Sequence, residues 1–181
     1  AFCCGSIGNY LWRDTNLNGL QDEPSSAGIN NLKVYLYKEN SSGSYILVDS
    51  TITANDSFGN TGYYHFSIVA SGNYKVLFPT NAQGLLTTQG LSNGTTDSDP
   101  NTLTGFSNII PIDLASSGLL KNNNTIDAGY KLCIVDAGSD VTLDCSTTSA
   151  TIGTAGSATS YLWSPSIGLS DAHIAHPIAS P

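Results

Sequence analysis

Asp14, Asn16, Asn18 and Asp22 surround Gly19 in the run Asp14-Thr-Asn-Leu-Asn-Gly-Leu-Gln-Asp-Glu-Pro-Ser25, a set of hard oxygen donors with no thiol or imidazole among them. Alternate spacing lets the side chains of Asp14, Asn16 and Asn18 converge on one point. Glycine at the sixth position permits the sharp turn that brings the Leu20 carbonyl to the same point. Asp22 falls at position nine. Oxygen donors in this arrangement suit Ca2+, and the pattern is that of an EF-hand loop up to its last position, where Ser25 stands in place of the bidentate glutamate. Either Glu23 substitutes from a neighbouring position, or a carboxylate from elsewhere in the fold completes the shell. The same residue types also favour an ordinary surface turn.

The elements that must hold this loop read as strands. Ser6 to Trp12 has aromatic and aliphatic β-formers before it, and Leu32, Val34 and Leu36 alternate with Lys33, Tyr35 and Tyr37 after it. A helix-loop-helix sensor that opens on binding calcium does not fit such flanks; a structural ion that rigidifies a β-fold does.

The run Gly5-Ser-Ile-Gly-Asn-Tyr-Leu-Trp-Arg-Asp-Thr-Asn-Leu-Asn-Gly-Leu-Gln-Asp22 resembles the opening of the serine-aspartate repeat protein B-like domain. Asn60-Thr-Gly-Tyr-Tyr-His-Phe66 with Ser71-Gly-Asn-Tyr-Lys-Val76 resembles that family's paired central strands. Thr96-Asp-Ser-Asp-Pro-Asn101 with Ile126-Asp-Ala-Gly-Tyr130 resembles its closing signature. The resemblance covers residues 5 to 131 and implies an all-β fold: a prealbumin-like Greek-key β-sandwich with bound Ca2+, used as a rigid spacer in surface proteins. It also implies that Asp97, Asp99 and Asp127 meet a second or shared cation. Composition alone reads Asp97 and Asp99 equally well as part of a solvated acidic loop.

Composition agrees with an extracellular β-protein. Only 11% of the residues are charged, methionine is absent, and the formal net charge is −8. Nucleic acid and anionic membranes are poor partners for a chain with six Lys and Arg in total. No apolar run approaches the length of a membrane span, and no signal peptide precedes Ala1, so export would require a leader removed or encoded outside this sequence.

Cys3, Cys4, Cys133 and Cys145 read as disulfide candidates. Neighbouring Cys3 and Cys4 are poorly placed to bond each other, which leaves bridges to Cys133 and Cys145, or one bridge between the latter two. Zinc is the competing reading, but no spacing matches a finger or ribbon.

Further along, Tyr45 to Thr53 reads as a strand between polar turns, Tyr63 to Ile68 and Tyr74 to Phe78 as a hairpin, and Ile109 to Leu114 and Thr125 to Tyr130 as closing strands. Residues 80 to 106 lack periodicity, as expected of a functional or ion-held loop. A related sandwich family locks its strands by a lysine isopeptide bond; Lys33 is suitably placed, but Tyr74-Lys-Val-Leu-Phe78 lacks the acid that would catalyse it.

The texture changes after Lys131, so residues 1 to 131 form one domain and 132 to 181 another. Val135-Asp-Ala-Gly-Ser-Asp-Val-Thr142 and Trp163-Ser-Pro resemble the first strands of the polycystic-kidney-disease-like and immunoglobulin-like modules of bacterial surface and gliding-associated proteins. Strand-like segments lie at 133 to 145, 150 to 153 and 161 to 171. A sandwich needs about seven strands, so this module is expected to be partial and Pro181 is not expected to be a natural terminus.

No nucleophile, base and orienting group are arranged for catalysis, and a non-enzymatic role is expected. His65 reads as an exposed strand residue, and His173 with His176 is a weak metal pair. Candidate glycosylation sites are the sequons at Asn40, Asn55, Asn93 and Asn123 and, in Asp49-Ser-Thr51, Ser50. The expected role is a calcium-stabilised stalk or filament module of a large bacterial cell-surface or secreted protein, acting in adhesion or surface display. Its partners would be neighbouring modules of the same or another copy, or host or surface ligands. The alternatives are a ligand-binding adhesin domain and an accessory domain of a secreted enzyme.

Overall fold

The computed structural model describes residues 4–80, 84–90, 96–131, 138–153 and 160–180. The chain divides into two units, Ala1–Leu132 and Cys133–Pro181. In the first, β1 (Gly5–Arg13) is the central strand of a sheet, and its neighbours explain where the candidate residues fall. Its first half pairs antiparallel with β4 (Tyr63–Ile68), Gly5 opposite Ile68 through Tyr10 opposite Tyr63. On its other side it pairs in parallel first with β8 (Asn122–Asn123) and then with β9 (Ala128–Lys131), and β6 (Leu85–Leu86) completes the sheet beyond β9.

The second sheet has the order β3-β2-β5-β7, from β2 (Lys33–Glu39), β3 (Tyr45–Ile52), β5 (Gly72–Leu77) and β7 (Ile110–Ile112). Alternation drives the packing, since successive side chains of a strand point to opposite faces. Val34 and Leu36 of β2, Tyr64, Phe66 and Ile68 of β4, and Tyr74 and Val76 of β5 are buried, and they join Ile7, Leu11, Phe78, Ile110 and Tyr130 in one core between the sheets. The expected all-β sandwich is therefore present, and β1, β2, β3, β4, β5, β7 and β9 each overlap a strand expected from the sequence. Lys33 is exposed, with its ammonium 5.4 Å from the centre of the Tyr35 ring.

Tyr64 is fully buried and its hydroxyl donates to the Ile126 carbonyl at 2.6 Å, tying β4 to the segment that enters β9. Burial and the nearby Asp127 and Asp99 charges raise its phenol well above the usual range. Tyr64→Phe is expected to destabilise the first unit by roughly 1–2 kcal/mol, because it leaves a buried carbonyl without its donor. Urea unfolding followed by intrinsic fluorescence checks this, with an unchanged m-value and a lowered midpoint as the expected result.

In the second unit, β10 (Ala150–Thr151) and β11 (Ile178–Ala179) form a two-stranded antiparallel ladder. The strand expected at 150 to 153 is shortened to β10. The described parts of 133 to 145 and of 161 to 171 are turns and irregular chain instead of strands. One local cause is Asp144, whose Oδ1 accepts from the amides of Ser146 and Thr147, both at 2.8 Å, and closes a turn where the pattern suggested extension. A second is the turn around Ser166, whose carbonyl accepts from the Leu169 amide at 3.2 Å next to Gly168 at φ 82°.

Candidate metal centre

The loop after β1 closes around its own oxygens. Asp14 is buried; its Oδ1 accepts from the Asn18 amide at 3.2 Å and its Oδ2 from the Gly19 amide at 2.8 Å and from the Thr87 hydroxyl. Asn16 Oδ1 accepts from the Asn18 amide at 3.1 Å, and Asn18 Oδ1 from the Leu20 amide at 2.8 Å. The two side-chain amides donate to the same carboxylate, Asn16 to Asp22 Oδ1 at 3.0 Å and Asn18 to Asp22 Oδ2 at 2.8 Å. These bonds, that from Asn18 foremost, hold the Asp22 carboxyl below the usual carboxylate range. Asn16, Asn18 and Asp22 are thus mutually hydrogen-bonded, Asp14 joins them through Asn18, and Gly19 turns the chain at φ 76°.

Ser25 lies in a short 3-10 turn, Ser25–Ala27. Glu23 folds back on the loop instead: its Oε1 accepts from the Thr15 amide at 2.6 Å and the Thr15 hydroxyl at 3.2 Å, while its Oε2 is buried without a partner.

The acids of the 96–99 segment reach this region through backbone pairing. Leu20 forms an antiparallel bridge with Asp97, and the Gln21 amide donates to the Thr96 carbonyl at 2.6 Å. Asp99 and Asp127 bind each other's backbone: the Asp99 amide donates to the Asp127 carbonyl at 2.9 Å, and the Asp127 amide donates to Asp99 Oδ2 at 2.6 Å. Asp127 sits where β8 has ended and β9 has not begun, so its Oδ1 receives the Tyr10 amide of β1 at 3.4 Å. Asp97 Oδ1 and Asp127 Oδ2 are buried without a hydrogen-bond partner.

Carboxylates so placed resist ionisation. Burial, opposed by the Asp127 amide and reinforced by the Asp97 charge, pushes Asp99 up to about 7. Burial and the Asp99 charge push Asp127 up to about 8, against the bonds from Tyr10 and Asn9. Among the described residues no three Asp, Glu, His or Cys side chains converge on one point. A cation shell here must therefore draw on amide and backbone oxygens as well as carboxylates, as calcium shells do. The residues fit such an ion: the donors are hard oxygens, and three buried carboxylate oxygens, on Glu23, Asp97 and Asp127, have no partner.

The loop residues are read directly from spacing; Thr87 is not, because it lies in a stretch without periodicity. The other candidate residues are dispersed. Cys4 and Cys145 are exposed free thiols, whereas Cys3 and Cys133 lie outside the described residues. Ser50 and Asn55 are exposed, Asn40 and Asn123 are half-buried and cap their own turns, and Asn93 lies outside the described residues. His65, His173 and His176 are exposed.

A two-sheet β-sandwich carrying an acidic, loop-built site beside its central strand defines the class. The family model of the SdrD B-like domain matches residues 5–130, and the chain belongs to that family. It is similar to serine-aspartate repeat-containing protein D of Staphylococcus aureus, 33% identical over 127 residues that make up 69% of this chain and 8% of that protein. Colossin-B of Dictyostelium discoideum is 31% identical over 135 residues, 72% of this chain and 4% of the relative. Serine-aspartate repeat-containing protein F of Staphylococcus epidermidis is 32% identical over 133 residues, 74% and 7%. The chain thus spans less than a tenth of each of these relatives.

Proposed function

We propose that this chain is a calcium-stabilised structural module of a large cell-surface protein, serving as a stalk or filament segment in adhesion or surface display and doing no catalysis. The observation that carries the reading is the pair of buried carboxylate oxygens without a partner, Asp97 Oδ1 and Asp127 Oδ2, near a loop whose Asp14, Asn16, Asn18 and Asp22 are joined by hydrogen bonds. Ca2+ held by these residues, the Leu20 carbonyl and Asp99 would supply the positive charge that the buried acids lack. It would also tie the 14–22 loop to the 96–99 segment and to the entry of β9. Neighbouring modules are the expected partners, and disulfides formed by Cys3, Cys4, Cys133 or Cys145 would add to the stiffness.

The test treats the full-length native protein with a chelator and with a reductant separately, then follows limited proteolysis. Chelation is expected to speed cleavage first within residues 14–28 and 96–101, because unfilled sites leave carboxylates repelling one another. Unchanged cleavage after both treatments would contradict the structural-module reading.

A further inference from the structure

The outer face of the β3-β2-β5-β7 sheet differs from the rest of this acidic chain. A β-bulge at Val48, where the register shifts between Leu36 and Tyr37, places Tyr45 and Leu47 on the same face as Ser50 and Ile52. That face also carries Lys33, Tyr35 and Tyr37 of β2 and Lys75 of β5, opposite the buried Val34, Leu36 and Val76. Lys33 Nζ lies 5.4 Å from the Tyr35 ring centre and Lys75 Nζ 4.6 Å from that of Tyr45. The acid on this face, Glu39, accepts from the Asn73 side-chain amide at 2.7 Å. In a chain of net charge −8, these strands present a locally cationic, aromatic surface.

β3 ends the sheet, so one of its backbone edges pairs with no strand of the described fold. Leu47 and Ile52 are 53% and 58% exposed, and Ile46 and Val48 about as much. A long apolar edge is a template for another strand, and natural proteins usually protect it with charge. Here β3 itself contributes Asp49 alone, and the charges beside it on the outer face are Lys33, Lys75 and Glu39, the last opposite Tyr45 and bonded to Asn73.

We propose that β3 is a docking edge for an extended polypeptide segment that alternates acidic with apolar residues and adds to this sheet as a further strand. Backbone pairing along β3 would supply the affinity; carboxylates on the outer face of the added strand would meet Lys33 and Lys75, and the apolar side chains on its other face would cover Ile46 and Val48, which lie on the Leu36 side of the sheet. The exposed aliphatic side chains and the free backbone edge favour a polypeptide over an acidic polysaccharide, which offers neither aliphatic side chains nor a strand.

The test uses the whole 181-residue protein and a synthetic peptide of about ten residues alternating glutamate with valine or threonine. A lysine counterpart of that peptide, polyglutamate and heparin serve as comparisons. The acidic alternating peptide is expected to bind by calorimetry and to slow hydrogen exchange of the β3 amides. Lys33→Glu with Lys75→Glu is expected to weaken binding at least tenfold, Lys33→Gln with Lys75→Gln less so, with the melting temperature confirming that each variant is folded. Binding should also weaken with salt. Absence of β3 protection, equal binding of the lysine peptide, or equal binding of polyglutamate or heparin would each overturn the proposal; the last two would indicate a polyanion site.

Discussion

In the presence of a chelator, the unfolding midpoint of the first unit is expected to fall by on the order of 10 °C as pH is raised from about 5 to about 8, and in millimolar calcium this fall is expected to vanish or reverse. Asp99 and Asp127 have folded-state values raised to about 7 and about 8. The unfolded chain releases these protons near the ordinary value of 3.8, so between that pH and 8 the folded state holds protons that the unfolded state does not. Stability from this source is fully present at low pH and is lost as pH rises through the folded values. The two acids are coupled through one another and through Asp97, so their shifts do not add; a loss of about 2 kcal/mol is a conservative scale. A calcium ion reverses the logic, because it competes with protons for the same oxygens and binds more tightly as they leave. Thermal scans at four pH values, with chelator and with calcium, check the crossing of the two curves. Parallel slopes would show that no ion neutralises this cluster.

Gly62→Ala is expected to cost about 3 kcal/mol or more, and to lower calcium affinity although residue 62 touches no candidate ligand. Gly62 has φ 84°, and a Cβ there would strike the Leu11 carbonyl oxygen and lie 2.8 Å from the Ile29 amide nitrogen and 3.0 Å from Gly28 Cα. At this crossing the Leu11 amide donates to the Gly62 carbonyl and the Ile29 amide to the Leu11 carbonyl, at 2.9 and 2.8 Å. It fixes where the chain leaves the 14–28 segment and returns to the sheet. Gly43→Ala is the control: Gly43 has φ 80° with nothing within 4 Å, so it reports left-handed strain alone, roughly 1 kcal/mol. Urea unfolding of both variants separates close packing from backbone strain. Equal costs would mean that the crossing is not tight.

Local features of the site were legible from the sequence because their causes are local. The Asp14 loop is a spacing pattern with one left-handed glycine, and the structure closes it on itself through bonds among residues no more than eight apart. The meeting of Asp97, Asp99 and Asp127 is not local: Asp127 lies opposite Tyr10 because β8 and β9 run alongside β1 with a gap between them. Periodicity does not encode that gap, and only the family resemblance placed these acids together. Thr87 was not foreseeable, since a lone hydroxyl in an aperiodic stretch gives no sign that it will donate to Asp14. The alternation Asp140-Val-Thr-Leu-Asp144 looked like a strand but is irregular chain in the structure. A strand requires a partner edge as well as a pattern, and here Asp144 closes a turn instead.

Calcium titration of the 181-residue protein by calorimetry, beside Asp14→Ala and Asp97→Asn variants, tests the central claim most directly. Saturable binding is expected with Kd of about 10⁻⁴ to 10⁻³ M, the range of extracellular calcium modules. Asp14→Ala should remove the binding assigned to the loop, and Asp97→Asn should weaken binding with the β-rich circular dichroism spectrum unchanged. A folded wild-type protein that shows no heat of binding and no rise in melting temperature at millimolar calcium would contradict the account.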